Sequence, residues 1–538
     1  MDERNKPNFE NVHWADNSAK RVIEAFPDKE VYTVASGITP SGIIHVGHFR
    51  ELITSELVRR ALEDKGYKTK FIYSWDSYDA FRKVPSNLPE NYSQYLRLPD
   101  ASVPDEFGCH ESFAHHFMKT AEKSFAPFNF PIEYQYQHEL QTSGIYADGI
   151  KKYLNKVPQI KELINKFRTE DRQLADDWLP VELYSEKTGK DTTTITNYDG
   201  EYGFTYKCNE TGFENTIDIR KTAIVKLSWR LDWPMRWAYY GVCFEPGGKD
   251  HSTPGGSFDT SKDTIRLVSG VEPPVYTAYE FVRMKGFGGK ISSSKGNGAT
   301  VGDVLQIYTP EIIMFIFTGT RPNAEFSISF DVDVIKVYED FDKLERFYYG
   351  LTEEKNPKKS ANMKRIYELS MVSDKDGNRA VQKEMPVQPS FRHLTTIAQS
   401  CSFDIDKIIS SFGDEIKTDF DRARVIDRVT CVKHWLSMYA PEDMKFSINK
   451  TVSSDFIASM SANEKAAVKD VAACLMNFDD GRALMGEFKN IIEKHSLVPM
   501  DFFKLMYNLI ISKDKGPKLA GFMIENKNLM ISLLNEVQ

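Results

Sequence analysis

The chain has little of what would tie it to a membrane, a disulfide framework or a broad polyanion surface. No run approaches the ~18 consecutive apolar residues of a bilayer span. The densest patch, Ile312-Ile313-Met314-Phe315-Ile316-Phe317, is core-sized. The opening residues, MDERNKPNFENVHW, lack the apolar stretch of a secretion signal. Cysteine is sparse: six residues, scattered at 109, 208, 243, 401, 431 and 474, are too few and too dispersed to staple a fold, so a reducing, cytoplasmic setting is expected. Positive charge is also short. A net charge of −8 counts mildly against a nucleic-acid protein, although an acidic body can carry a local basic groove. Two common phosphate loops are missing as well. Neither G-x-G-x-x-G nor a lysine-bearing P-loop follows the first predicted strand, which disfavours a simple dehydrogenase or P-loop NTPase.

What is present is ordinary globular composition, 41% hydrophobic and 27% charged, over 538 residues, a length that suits about three or four domains. Val31-Tyr32-Thr33-Val34-Ala35-Ser36 reads as a strand and the Gly/Pro/Ser stretch 37–42 as a loop. Phe49, Leu52, Ile53, Leu57, Ala61 and Leu62 then recur at helical spacing up to Gly66, and Lys70–Trp75 form a second strand. Such a βαβ unit predicts a parallel sheet with a right-handed crossover. The spacing divides the rest into an inserted α+β region at 85–225 with an antiparallel ribbon near 190–220, a return of the sheet over 226–320, and helices from 321 to 538.

Two segments carry phosphate chemistry. In TPSGIIHVGH, at 39–48, His45 and His48 stand three apart at a predicted helix start. Both can turn toward one phosphate, which the helix N-terminus also favours. In GGKISSSKGNG, at 288–298, Lys290 and Lys295 sit among serines and glycines, a composition suited to neutralising a triphosphate. After the second strand, Trp75-Asp76-Ser77-Tyr78-Asp79 places two carboxylates beside the first segment, where they would suit a substrate bearing a side-chain ammonium. Glu51, one helical turn past His48, could add to that field.

Together ASGITPSGIIHVGHFREL, YSWDSYDAFRKVP, WRLDWPMRW, FEPGGKDH and GGKISSSKGN resemble class I lysyl-tRNA synthetases, from residue 12 to about 350. The resemblance implies a Rossmann-like catalytic domain built from 12–84 and 226–320, an inserted subdomain at 85–225, and an all-α anticodon-binding region at 321–538. It implies ATP with Mg²⁺, lysine and tRNA(Lys) as partners, with no membrane association. His45, His48, Lys290 and Lys295 would stabilise phosphoryl charge. Thr39, Pro40, Ser41, Gly42, Gly47, Asp250, Ser292, Ser293 and Ser294 would hold ATP. Gly37, Thr39, Asp76, Asp79, His251 and Tyr279 would hold lysine.

Two departures stand out. Ser293 replaces the second lysine of the family's K-M-S-K-S loop, with Lys295 two residues on. Members often carry a zinc ribbon in the insertion, but its expected ligand stretches, 184–188 and 207–212, hold only Cys208. One thiolate cannot hold a tetrahedral zinc, so no structural zinc and no metal-binding residues are expected in the chain. Two alternatives remain: a class I synthetase for glutamate, and a non-catalytic tRNA-binding protein derived from a synthetase.

Overall fold

The computed structural model describes residues 12–86, 88–253, 255–285, 298–374, 377, 379 and 381–537. The chain divides into two units. The first runs to Leu305 and takes in Pro310–Ile328 and Leu344–Val381. The second holds Gln306–Thr309, Ser329–Lys343 and everything from Gln382 onward. The segment 344–381, expected among the C-terminal helices, therefore belongs to the first unit.

The first unit is built on five parallel strands. In chain order they are β1 (Val31–Ile38), β2 (Lys68–Trp75), β3 (Ile132–Tyr136), β9 (Val242–Gly248) and β10 (Val275–Tyr279), arranged β10-β9-β1-β2-β3. The order reverses between β1 and β9. In open α/β sheets, ligands bind at the carboxyl ends of strands at such a reversal. β3 lies inside the stretch expected to be wholly inserted. It is an edge strand, and its mixed sequence IEYQY lacks the apolar run that marks β1 and β2.

Helix α1 (Trp14–Ala25) and α2 (Val46–Asp64) accompany β1, and α3 (Phe113–Phe125) precedes β3. Alternation along the strands turns Ala35, Ile72 and Val242 toward α4 (Trp229–Tyr240) and its neighbour α5 (Ser257–Ser269), where Trp233, Trp237 and Ile265 complete a core cluster. Tyr73 faces the other way and meets Phe125 of α3, ring centroids 6.1 Å apart. Helix α4 continues through Pro234. A proline there removes one N–H bond to the carbonyl four residues back. That carbonyl, of Arg230, instead accepts from the Ser261 hydroxyl of α5 at 3.2 Å.

Helix α2 carries charge inside the unit. Buried Glu56 accepts from Arg59 Nε at 2.6 Å and Arg60 Nε at 2.7 Å, and Arg60 Nη1 reaches the Leu369 and Met371 carbonyls at 2.8 and 2.6 Å. Arg50 holds the carbonyls of Arg321, Pro322 and Ala324. Between β3 and β9 sits a ribbon of β5 (Thr193–Tyr198), β6 (Gly203–Cys208) and β7 (Glu214–Asp218), all antiparallel. It is flanked by the paired short strands β4 (Val181–Leu183) and β8 (Val225–Leu227).

The second unit is helical, with Leu475, Phe488, Leu509 and Leu534 among its buried core. Buried Arg428 pairs with Asp342 at 2.8 Å, and Thr418 with Asp421 and Ser461 with Glu464 form capping boxes at two helix starts.

Candidate active site

Most of the residues singled out in the sequence meet at the carboxyl end of β1 and its neighbours. His45 is the N-cap of α2, and its Nδ1 accepts from Gly47 N–H at 3.1 Å. That bond fixes the tautomer, leaving the proton on Nε2. A side chain at position 47 would sit 2.8 Å from the His45 ring, so glycine is required for the cap. His48 stacks on His45 with centroids 3.7 Å apart. Burial, then the neighbouring His45, holds His48 well below the ordinary imidazole range, so it is neutral. Its buried Nδ1 has no hydrogen-bond partner among the described residues. Two stacked imidazoles at a helix N-terminus, with His48 held neutral, can donate to a phosphoryl oxygen.

Lys290, Ser292, Ser293, Ser294 and Lys295 lie outside the described residues. The chain just after them docks on the first signature: Val46 N–H donates to the Ala299 carbonyl at 2.9 Å, and His45 bridges Thr300. Of the residues expected to hold ATP, Thr39 and Ser41 form a tight turn, and Gly42 has φ +154°, a backbone region for glycine. Asp250 and His251 are exposed on a short turn after β9, with His251 at 6.4 and 6.2 Å from the Trp229 and Trp233 rings.

The carboxylates are arranged differently from what the sequence suggests. Asp76 is buried and engaged by Arg236 Nη1 at 2.7 Å, and the same guanidinium meets Asp232 at 3.0 Å. Asp79 pairs with Lys226 and accepts from the Thr39 hydroxyl at 2.8 Å. Burial pushes the Asp79 carboxyl up, but Lys226 and Thr39 more than offset it and hold it below the usual range. Both aspartates thus have protein cations of their own and are committed to shaping the turn.

Glu51 has none. It is half-buried, and its oxygens accept from Ser36 Oγ and Gly37 N–H at 3.1 Å and from Tyr279 OH at 2.6 Å. Burial pushes its carboxyl up to about 7. Gly37 is needed where β1 crowds β2, since a Cβ there would lie 2.8 Å from the Ser74 carbonyl. Glu245 of β9, which the sequence reading passed over, is similar. Both its oxygens are held by indole N–H groups, Trp233 at 3.0 Å and Trp237 at 2.5 Å, and burial raises it to about 7. A charged residue inside the strand sequence VCFEPGG is the signal that could have found it. Ser36, Ser74, Arg236 and Glu245 help line a cavity of about 30 Å³, enough for small polar groups. Of the three tryptophans of α4, Trp233 and Trp237 are buried, while Trp229 is half-buried and stacks on Trp233.

A cleft of about 650 Å³ lies elsewhere, at the C-terminal end of α2, lined by Asp16, Asp64, Tyr67 and Arg365 among others. Arg365 there pairs with Asp16 at 2.8 Å and Asp64 at 2.7 Å, so it is a structural tie and no free cation for nucleic acid. Metal-ligating groups converge in the insertion, away from the ribbon. Asp105, Cys109, His110 and His116 bring their donor atoms within 4.8 Å of one another. Asp105 also accepts backbone N–H bonds from Phe107, Cys109 and His110, which pre-forms the loop. Two imidazoles, a thiol and a carboxylate are a donor set suited to tetrahedral zinc. The sequence-based expectation of no metal site and no structural zinc in the chain rests on the ribbon alone and does not weigh this quartet.

The family described as tRNA synthetases class I (K) matches residues 12–373. The lysine–tRNA ligase of Borreliella burgdorferi is 43% identical over 517 residues, covering 95% of this chain and 96% of that one. The ligase of Thermococcus kodakarensis is 39% identical, covering 97% and 99%. Among solved structures, the glutamate-tRNA synthetase of Elizabethkingia anophelis aligns at 11% identity and a TM-score of 0.41, over 94% of this chain and 99% of that one. On the family match over residues 12–373 and these identities, this chain belongs to the class I (K) tRNA synthetases.

Proposed function

We propose that the protein activates lysine with ATP and transfers the lysyl group to the 3′ end of tRNA(Lys). The observation that carries this reading is Glu51, a half-buried carboxylate beside the β1 loop that forms no ion pair among the described residues. A substrate ammonium would supply the missing cation, while a substrate carboxylate would be repelled.

In the first step the lysine carboxylate oxygen attacks the α-phosphorus of ATP. The bond to the bridging oxygen breaks, leaving lysyl-adenylate and pyrophosphate. His45 and His48 stand at the α2 N-terminus to donate to the phosphoryl oxygens, and Lys290 and Lys295 are the candidates for the charge on the leaving phosphates. In the second step a terminal tRNA ribose hydroxyl, the 2′-OH by resemblance, attacks the lysyl carbonyl and AMP leaves. No side chain need act as nucleophile, so positioning and electrostatics account for the rate. Mg²⁺ would arrive with the nucleotide, held through phosphate oxygens, and would neutralise their charge. Thr39, Gly37, His251 and Tyr279 line the lysine pocket in this scheme, with Asp76 and Asp79 supporting its wall. The second unit would meet the anticodon, whose unpaired bases stack on aromatics and are read by hydrogen bonds.

Amino-acid-dependent ATP–pyrophosphate exchange, with and without tRNA, tests the reading. Exchange with lysine and none with glutamate is expected. Exchange with glutamate alone would sink it, and no exchange with any amino acid would favour a non-catalytic tRNA-binding protein.

A further inference from the structure

The ribbon contains two turns with one shape. In the first, between β4 and β5, Gly189 N–H donates to the Ser185 carbonyl at 2.8 Å. In the second, between β6 and β7, Gly212 N–H donates to the Cys208 carbonyl at 2.8 Å. Both glycines have φ +71°. The two turns thus share the pattern residue-x-x-Thr-Gly, as Ser185-x-x-Thr188-Gly189 and Cys208-x-x-Thr211-Gly212. They also meet. Asn209 N–H donates to the Thr192 carbonyl, the Thr192 hydroxyl bonds Glu210, and Lys190 pairs with Glu210 at 3.5 Å. At the centre lies Cys208 Sγ. It has no solvent exposure, it lies 3.9 Å from Thr188 Oγ1, and the neighbouring Ser185 and Thr211 hydroxyls hold its thiol below the usual range.

Two facing turns that each offer a first and a fourth residue, followed by a left-handed glycine, form the geometry in which four cysteines hold a tetrahedral zinc. Here three of the four positions are hydroxyls. Neutral hydroxyls are poor zinc ligands, and one thiolate leaves the set incomplete. We propose that Ser185, Thr188, Cys208 and Thr211 stand at the four ligand positions of a metal centre that this chain has exchanged for a thiol and three hydroxyls, so that the ribbon folds without an ion. The ladder of β5, β6 and β7 and the buried Phe204, Tyr206 and Ile217 supply the cohesion the ion would otherwise give. The backbone has kept the ligand geometry, so restoring the thiols should restore the site.

The test uses the full chain with His110→Ala and His116→Ala, which silence the separate Asp105 quartet. This parent and a version also carrying Ser185→Cys, Thr188→Cys and Thr211→Cys are stripped with chelator and titrated with Co²⁺. The four-thiol version is expected to take up about one more equivalent than the parent, with the visible bands of tetrahedral cobalt thiolate. The parent is expected to bind none at the ribbon. If the four-thiol version folds only when metal is present, one retained equivalent after refolding in Co²⁺ supports the proposal and none counts against it. A four-thiol version with unchanged far-UV circular dichroism and no added Co²⁺ overturns the ligand geometry. Zinc that co-purifies with the parent and is lost on Cys208→Ser overturns the metal-free ribbon.

Discussion

Two pairs of buried and half-buried carboxylates flank the carboxyl end of the sheet, and the protein treats them in opposite ways. Asp76 and Asp79 follow β2 and are matched by Arg236 and Lys226. Glu51 and Glu245, beside β1 and on β9, receive hydroxyl, amide and indole hydrogen bonds and form no ion pair among the described residues. The difference separates scaffold from site. A buried ion pair satisfies itself and leaves little field for a ligand, whereas a carboxylate held by neutral donors stays in place but hard to ionise, and a cation that enters is held strongly.

The largest effect should come from the matched pair. Arg236→Met leaves Asp76 and Asp232 buried without their shared cation, which should cost about 3–5 kcal/mol of stability. Urea unfolding measures it, and a loss under about 1 kcal/mol would mean that the pairing with Asp76 and Asp232 is not what fixes the turn.

Next is Glu51→Gln. It keeps the shape and removes the charge, so the KM for lysine in pyrophosphate exchange should rise by roughly 30- to 150-fold, about 2–3 kcal/mol, with KM for ATP little changed. An unchanged lysine KM would move the ammonium elsewhere, with Glu245→Gln the next variant to make.

Protonation gives a third, smaller handle. The folded carboxyls of Glu51 and Glu245 are raised above their unfolded values, so the apo protein is most stable at low pH in this respect and loses that contribution as pH rises toward about 7. Lysine needs the ionised form. Its KM should therefore fall about tenfold per pH unit below about 7 and level off above it. A flat profile between about pH 6 and 8 would contradict an ammonium bound by these groups. The smallest effect is expected for Tyr279→Phe, which deletes one hydrogen bond to Glu51 and should raise the lysine KM about fivefold, about 1 kcal/mol.

The sequence showed some of this plainly and hid the rest for physical reasons. The β1–α2–β2 unit was legible because its apolar spacing and its Gly/Pro/Ser loop are local signals. The stacking of His45 and His48 follows from their spacing at a helix start. The neutralisation of Asp76 and Asp79 was not legible, because their cations lie 160 and 147 residues away in sequence. Glu51 was visible one turn past His48 but underweighted, since Tyr279, which marks its environment, is 228 residues distant. β3 escaped because a half-buried edge strand has no distinctive pattern. The lysine loop at 290–295 lies outside the described residues, and its assignment still rests on the resemblance.

The anchoring of α2 bears on how the protein is made. Glu56, Arg59 and Arg60 are buried charges that pair within α2, but Arg60 Nη1 finds its acceptors at Leu369 and Met371, while Asp16 of α1 waits for Arg365. On a ribosome adding about 5–20 residues per second, the helix that carries both histidines emerges on the order of tens of seconds before its distal supports. The nascent β1–α2–β2 segment must pass that interval with charged groups that its own length cannot satisfy. Translation speed across the intervening 300 or so codons, and chaperones able to hold that early segment, thereby become determinants of yield.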